Sequence, residues 1–383
     1  MEKKILIVCG EPSGDLHGAN LIKALKEINP NIKVYGVGGR FLEREGVRIY
    51  EDIKDLATFG FFDTIKKIGG FLKLKRILLE KVKEEKFDAI ILIDFSGFNL
   101  RFAKEINKVI PIFYYISPQV WASRKGRIKT IKEYINKMIV IFKFEEEFYK
   151  RHGVDTKFVG HPLLDITKPS KRREEILEEF RLSKDNLTIC LLPGSRESEV
   201  EIILPIMLKT CSHILEKLDS CQFIITKVKE LDRDLYEELL EKFNFKAEVV
   251  DNRIYDCLNI SDFALICSGT ATIEATIANI PFVIIYKTNL LNYLFYRPQI
   301  RTPYIGMINI LAKKKIIEEF IQFKAKPKII AETILEILKD QERISQIKEN
   351  LARVKEDLGS IGASKRAAEI ILNETSSLDR SSK

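Results

Sequence analysis

The chain has 383 residues, 45% of them apolar and 31% charged, with a formal net charge of +8. That length suits two or three domains of about 100–200 residues each, and that balance excludes a disordered chain. Apolar runs such as 89–93 and 281–286 fall far short of the ~20 residues a membrane-spanning helix needs.

The opening, MEKKILIVCGEPSGD, reads as the first core strand of a cytosolic protein. Its apolar run is too short for a signal peptide, and Glu11 and Asp15 follow at once. Strands are predicted at 4–9, 33–37, 89–94, 110–116, 137–142 and 157–159. After the Pro- and charge-rich stretch HPLLDITKPSKRREE, a second series is predicted at 187–192, 222–226, 248–250, 262–267 and 282–285. Helical patterns lie between them, for example over 16–28, 199–218 and 234–243. Strand–helix alternation in two halves predicts an α/β fold with parallel sheets covered on both faces. Beyond 324 the pattern is helical, over 328–339, 342–358 and 362–372. The expected domains are 1–165, 166–324, a C-terminal helical part 325–373 and a disordered tail 374–383.

The charge is uneven. Residues 1–165 carry 30 Lys and Arg against 22 Asp and Glu, whereas 166–383 carry 33 of each. The first half thus suits an anionic partner, although a solvated basic face is the commoner meaning of such an excess. The six cysteines lie in apolar stretches without a CxxC pair, so free thiols are expected. The four histidines form no metal motif. Asp232-Arg233-Asp234 opens an acidic helix, where carboxylates suit the dipole better than they suit a metal. No metal and no cofactor are expected.

Polar groups gather where predicted strands end. The loop CGEPSGDLHGANL places Glu11, Ser13, Asp15 and His17 after the first strand, where open α/β sheets bind ligands, although a capped turn would use some of them. Its glycines lack GxGxxG spacing. Asp94 ends a fully apolar strand, where burial raises a carboxyl group's pKa, or it caps the next helix. Trp121 reads as core or as part of a loop, and Arg124, Lys125, Arg127 and Lys129 follow it as a wet face or a phosphate contact. In LLPGSRESEV, Gly194 and Ser195 make a turn and Arg196 projects where a diphosphate can be gripped in a bidentate way. In SGTATIEA, Ser268, Gly269, Thr270, Ala271 and Thr272 open a helix whose first N–H groups suit phosphate. Glu274 lies one turn further on, in reach of sugar hydroxyls. Phosphate plus hydroxyls points to a nucleotide or nucleotide sugar. Finally, residues 57–83 combine Phe59, Phe61, Phe62 and Phe71 with many lysines, a composition suited to an anionic lipid surface or to an amphipathic core helix.

The segments GEPSGDLHGANL, LIDFSGFNL, SPQVWASR, FVGHPLLD, LLPGSRESEV, SGTATIEA with IPFVIIYK, and INILA occur in one order from residue 10 to 312. In that order the chain resembles bacterial lipid-A-disaccharide synthase, an inverting glycosyltransferase of the GT-B type. Two departures stand out: Phe95-Ser96-Gly97 replaces an Ala-Pro-Asp-like stretch, and WASR replaces WAWR. The resemblance implies two Rossmann-like domains facing a central cleft, plus C-terminal helices. It implies transfer of diacylglucosamine from UDP-2,3-diacylglucosamine to 2,3-diacylglucosamine 1-phosphate, giving the β-1,6-linked lipid A disaccharide 1-phosphate and UDP, at the cytoplasmic face of the inner membrane. On it Asp94 is the first choice of general base and Glu11 the second, and Arg196 stabilises the leaving UDP. The nucleotide lies on 194–196 and 268–274, and Ser13, His17 and Asn309 are substrate contacts. Phe59, Phe61 and Phe62 touch the membrane. No nucleic acid is expected, and a homodimer is left open. The alternatives are a related UDP-N-acetylglucosamine epimerase, which needs no acceptor, and a basic nucleic-acid-binding protein.

Overall fold

The computed structural model describes residues 3–53, 64–123, 125–290, 293–294 and 302–381, with the side chains of 64–68 and 378–381 also outside the description. The expected membrane residues Phe59, Phe61 and Phe62, and Arg124, lie outside the described residues.

Two compact units divide the chain: residues 1–164 with 358–383, and residues 165–357. In the first, seven parallel strands run β1 (Lys3–Val8), β2 (Ile32–Gly38), β3 (Arg48–Asp52), β4 (Ala89–Ile93), β5 (Ile112–Tyr115), β6 (Lys137–Val140) and β7 (Thr156–Phe158). Their spatial order is β3-β2-β1-β4-β5-β6-β7. β1 and β4 are central, and from Ile5 to Val8 and from Ala89 to Ile93 every side chain is buried. Such unbroken apolar runs are what a sheet covered on both faces requires. The helices of this unit include α1 (Pro12–Ile28), α2 (Arg40–Arg44), α3 (Thr64–Glu85), α4 (Ser96–Ile106), α5 (Arg127–Tyr134) and α6 (Lys143–Arg151).

The second unit has six parallel strands: β8 (Leu187–Leu192), β9 (Cys221–Lys227), β10 (Glu248–Asp251), β11 (Phe263–Cys267), β12 (Phe282–Tyr286) and β13 (Glu319–Ile321). Their order is β10-β9-β8-β11-β12-β13. The helices that matter here are α7 (Glu197–Leu215), α8 (Arg233–Lys242), α9 (Ile254–Ile260), α10 (Ala271–Ile277), α11 (Met307–Ala312), α12 (Pro327–Lys339) and α13 (Gln341–Asp357).

The expected C-terminal part does not stand apart. α12 packs on α7 and α13 on α10, within the second unit. The last helix, α14 (Ala363–Ser381), returns to the first unit and lies along α1. Arg366 fixes that return: its guanidinium donates to Val159 O (2.8 and 2.6 Å), Ser360 O (2.6 Å) and Ile361 O (2.7 Å). The expected disordered tail is a further correction, since the helix continues to Ser381. Thr375 is buried and bonds to Ile371 O, and Glu374 pairs with Lys137 on β6 at 2.9 Å. Tertiary partners supply the order that this polar stretch lacks by itself. Five of the six cysteines are buried, with Cys221 half-buried.

Candidate active site

Each sheet has one place where neighbouring strands send their chains to opposite sides. In the first unit it lies between β1 and β4, and in the second between β8 and β11. Ligands bind outside the carboxyl ends of strands at such switch points. The loops singled out in the sequence, after residues 8, 93, 192 and 267, are the four loops at these two points.

In the first unit β4 passes into α4 through Asp94 and Phe95, which take the left-handed conformation at φ +47° and +42°. Two such residues in a row cost about 1–3 kcal/mol each, so the surroundings must enforce the turn. The Asp94 carbonyl accepts from Asn99 Nδ2 (3.0 Å) and from the Tyr114 hydroxyl. The Phe95 ring lies between Phe71 and Phe98, with centroids 5.5 and 5.2 Å away, and covers the residue after Cys9. That residue is glycine because a Cβ on Gly10 would fall 2.4 Å from the ring. The turn leaves the Asp94 carboxyl half-buried, and burial, with a smaller contribution from the charge of Glu11, raises its pKa to about 7. Glu11 is exposed at the N-terminus of α1, with Ser13 in its first turn. Arg127 on α5 donates to Ser96 Oγ at 2.7 Å, which brings one cation of the basic stretch to this turn.

Two expected members of this site have other duties. Asp15 is buried, and its carboxylate accepts from the N–H groups of Gly39 (2.7 Å), Phe41 (3.0 Å) and Leu42 (3.2 Å), capping α2. His17, expected to contact substrate, is 5% exposed on the same α1 face as Gly14, Gly18 and Leu21, its ring edge-on to that of His161. Burial lowers its pKa to about 4, so it is a neutral interior residue.

In the second unit β8 enters α7 through Pro193-Gly194-Ser195-Arg196. Glu199, in the first turn of this helix, closes the loop. Its Oε2 accepts from the N–H groups of Ser195 (3.0 Å) and Arg196 (3.3 Å), and its Oε1 from Arg196 Nη1 (3.1 Å). Gly194 stands at φ +123°, and a Cβ there would fall 2.6 Å from that carboxylate. The backbone N–H groups of 195 and 196 are thus occupied. What the loop presents outward is the Arg196 side chain, 67% exposed.

After β11, the N–H groups of Gly269, Thr270 and Ala271 make no backbone hydrogen bond among the described residues, and Gly269 and Thr270 are exposed. Thr272 is turned inward, its hydroxyl donating to Gly269 O at 2.7 Å, so it shapes the turn and does not face a ligand. Glu274 is 9% exposed, and its pKa is raised to about 7 by burial, partly offset by a hydrogen bond from Tyr255 on α9. Asn309 departs from expectation. It is fully buried in α11, donates to Ile317 O (2.8 Å) and Glu319 Oε1 (2.7 Å), and accepts from the N–H groups of Ile316 (2.8 Å) and Ile317 (3.0 Å). All its amide capacity is spent on the approach to β13, which leaves none for a sugar or phosphate.

A family model described as lipid-A-disaccharide synthetase matches residues 5–373. The chain is 41% identical over 372 residues to the lipid-A-disaccharide synthase of Syntrophus aciditrophicus, covering 97% of each. It is 36% identical over 370 residues to that of Geobacter sulfurreducens, covering 96% of each. The chain belongs to the lipid-A-disaccharide synthase family.

Solved structures agree on the fold. The UDP-GlcNAc 2-epimerase of Neisseria meningitidis bound to UDP-GlcNAc has a TM-score of 0.66 at 14% identity, covering 97% of this chain and all of that one. The calicheamicin glycosyltransferase has a TM-score of 0.62 at 13%, covering 97% and 98%. The architecture is therefore GT-B. As a family member the enzyme is a hexosyltransferase of lipid A biosynthesis, with a UDP-sugar donor and a sugar-phosphate acceptor. No described helix is long and apolar enough to cross a membrane.

Sequence reasoning missed Glu145, Glu199 and Tyr255. Glu145 could have been found: it stands four residues before the core Tyr149, on the same helical face, whereas Glu147 faces water.

Proposed function

We propose that the enzyme transfers diacylglucosamine from its UDP derivative to the 6-hydroxyl of 2,3-diacylglucosamine 1-phosphate, with Asp94 as general base. The acceptor hydroxyl gives its proton to the Asp94 carboxylate as its oxygen bonds to the donor's anomeric carbon. The bond from that carbon to the diphosphate breaks, UDP leaves with the electron pair, and the configuration inverts. A base whose pKa lies near the working pH suits this step. The observation that carries the assignment is the Asp94 carboxyl held on a strained turn at the switch point, with its pKa raised to about 7. Glu11 is the second candidate.

Charge develops on the departing diphosphate. Arg196 and the N–H groups of Gly269, Thr270 and Ala271 stabilise it, with Gly194 and Ser195 shaping the loop that carries Arg196. Ser268 borders the same turn. Glu274, held by Tyr255, bonds the ribose. Ser13 borders the acceptor. The Phe71–Phe95–Phe98 cluster gives the Asp94 turn an apolar wall suited to an acylated acceptor.

The enzyme binds the cytoplasmic surface of the inner membrane through segment 57–83. Support comes from Leu72, 57% exposed beside Lys73, Lys75 and Arg76, and from the basic first half. Serine at Phe59, Phe61 and Phe62 is expected to lower affinity for anionic vesicles at least tenfold; equal affinity refutes this contact. Incubating the enzyme with both lipid sugars should give disaccharide and UDP in equal amounts. Conversion of UDP-sugar without acceptor would instead favour an epimerase.

A further inference from the structure

Glu145 is a buried acid that the chemistry above leaves unused. It stands in the first turn of α6 and is 2% exposed. Its Oε1 accepts from Ser117 Oγ (2.8 Å) and from Trp121 Nε1 (3.0 Å). Its Oε2 is shielded from water and, among the described residues, has no partner at hydrogen-bonding distance. Both donors belong to the loop after β5, beside the Asp94 strand, which begins at Ile116 in the left-handed conformation (φ +62°). The same helix fixes that loop again through the Tyr149 hydroxyl, which donates to Pro118 O at 2.8 Å. α6 therefore positions the loop at two points, one of them a carboxyl group.

We propose that Glu145 is a positioning residue whose protonation couples Asp94 to the Trp121 loop. As a neutral acid it holds Ser117 and Trp121 in place at no cost in buried charge. As a carboxylate it leaves a bare oxygen out of water and repels an ionised Asp94. The ionisable groups that interact with it are Asp94 at the end of β4 and Tyr149 on its own helix, with Tyr114 on β5 interacting with both. All are anions when ionised, and among the described residues no cation hydrogen-bonds Glu145. Burial raises the Glu145 pKa to about 7, bonds from Ser117, Trp121 and the Phe142 backbone partly offsetting it and Asp94 adding to it. Asp94 thus acts on Glu145 as a nearby like charge, a smaller contribution than burial. Protonation of Asp94 in turnover favours ionisation of Glu145, so the loop senses the state of the base. This rests on Asp94 being that base.

Trp121 is the only tryptophan in the chain, so its fluorescence reports on Glu145 without any substrate. In the full-length enzyme its emission should titrate with a midpoint near 7. Glu145→Gln should abolish that transition, and Asp94→Asn should lower the midpoint by about half a pH unit or more, as removal of a nearby like charge does. The acid limb of kcat/KM should also move to lower pH in Glu145→Gln. Wild-type emission flat from pH 5 to 9, or an identical transition in Glu145→Gln, overturns the proposal. An unmoved midpoint in Asp94→Asn overturns the coupling, and it needs no change at Glu145. Normal turnover in Asp94→Asn would instead remove the base assignment, leaving the Trp121 titration to decide the Glu145 linkage.

Discussion

Asp94→Asn separates what the residue does for catalysis from what it costs the fold. Removing a general base lowers turnover by about 10²–10⁴-fold, so kcat should fall at least ~100-fold. In the wild type, kcat/KM should drop about tenfold per pH unit below 7, because only the carboxylate accepts the proton; an ordinary aspartate near 3.9 would show no fall above about pH 5. Stability should move the opposite way. The folded pKa lies above the unfolded one, so the neutral acid is favoured in the fold. Stability is then fully present below about pH 4 and lost as pH rises through 7. A carboxyl raised from 3.8 to about 7 loses roughly 4 kcal/mol at most, and half-burial trims that to about 2–3 kcal/mol. Asparagine carries no such charge and tolerates φ +47° at least as well as aspartate. The variant should therefore be inactive yet more resistant to denaturant at pH 8, with the gap narrower at pH 5 and closing below about pH 4. Disaccharide formation measured by mass spectrometry and urea melts at both pH values test this. Turnover within tenfold of wild type, or a kcat/KM flat from pH 5 to 8, would refute the reasoning.

Arg196→Ala should cut turnover at least ~100-fold, as loss of a donor to developing charge does, with an unchanged melting temperature because the side chain is mostly exposed; near-normal turnover would remove it from the mechanism. Gly194→Ala should destabilise by about 1–3 kcal/mol through its φ and the clash with Glu199, and raise KM for the donor by displacing Arg196; an unchanged melt and KM would contradict the turn geometry. Arg366→Ala removes four hydrogen bonds that fix the return of α14. It should cost about 2–3 kcal/mol, seen as early proteolysis of the last helix; wild-type protease resistance would count against that clamp.

Much of this fold could be read from the sequence because its central strands are unbroken apolar runs, such as AIILI in β4. The edge strands β3 (RIYED) and β13 (EFI) were missed because an edge needs little apolar surface and three residues carry no period. The loops carrying Asp94, Arg196 and Gly269 were legible because polar groups cluster where those runs end. Which way a polar side chain turns was not. His17, Asn309 and Thr272 look like ligand contacts in sequence, but partners remote along the chain or a turn of backbone take up or bury their polar atoms. Glu199 rather than Glu197 closes the Arg196 loop because only a three-residue reach fits the helix start. The polar tail folds because α1 and β6 supply partners from far away in sequence.

Crystals of the enzyme with UDP test the central claim most directly. The diphosphate should lie on Arg196 and the N–H groups of 269–271, with the ribose on Glu274 and Asp94 free of the nucleotide. A uridine ligand on the loops of the first unit, away from Arg196, would contradict the account.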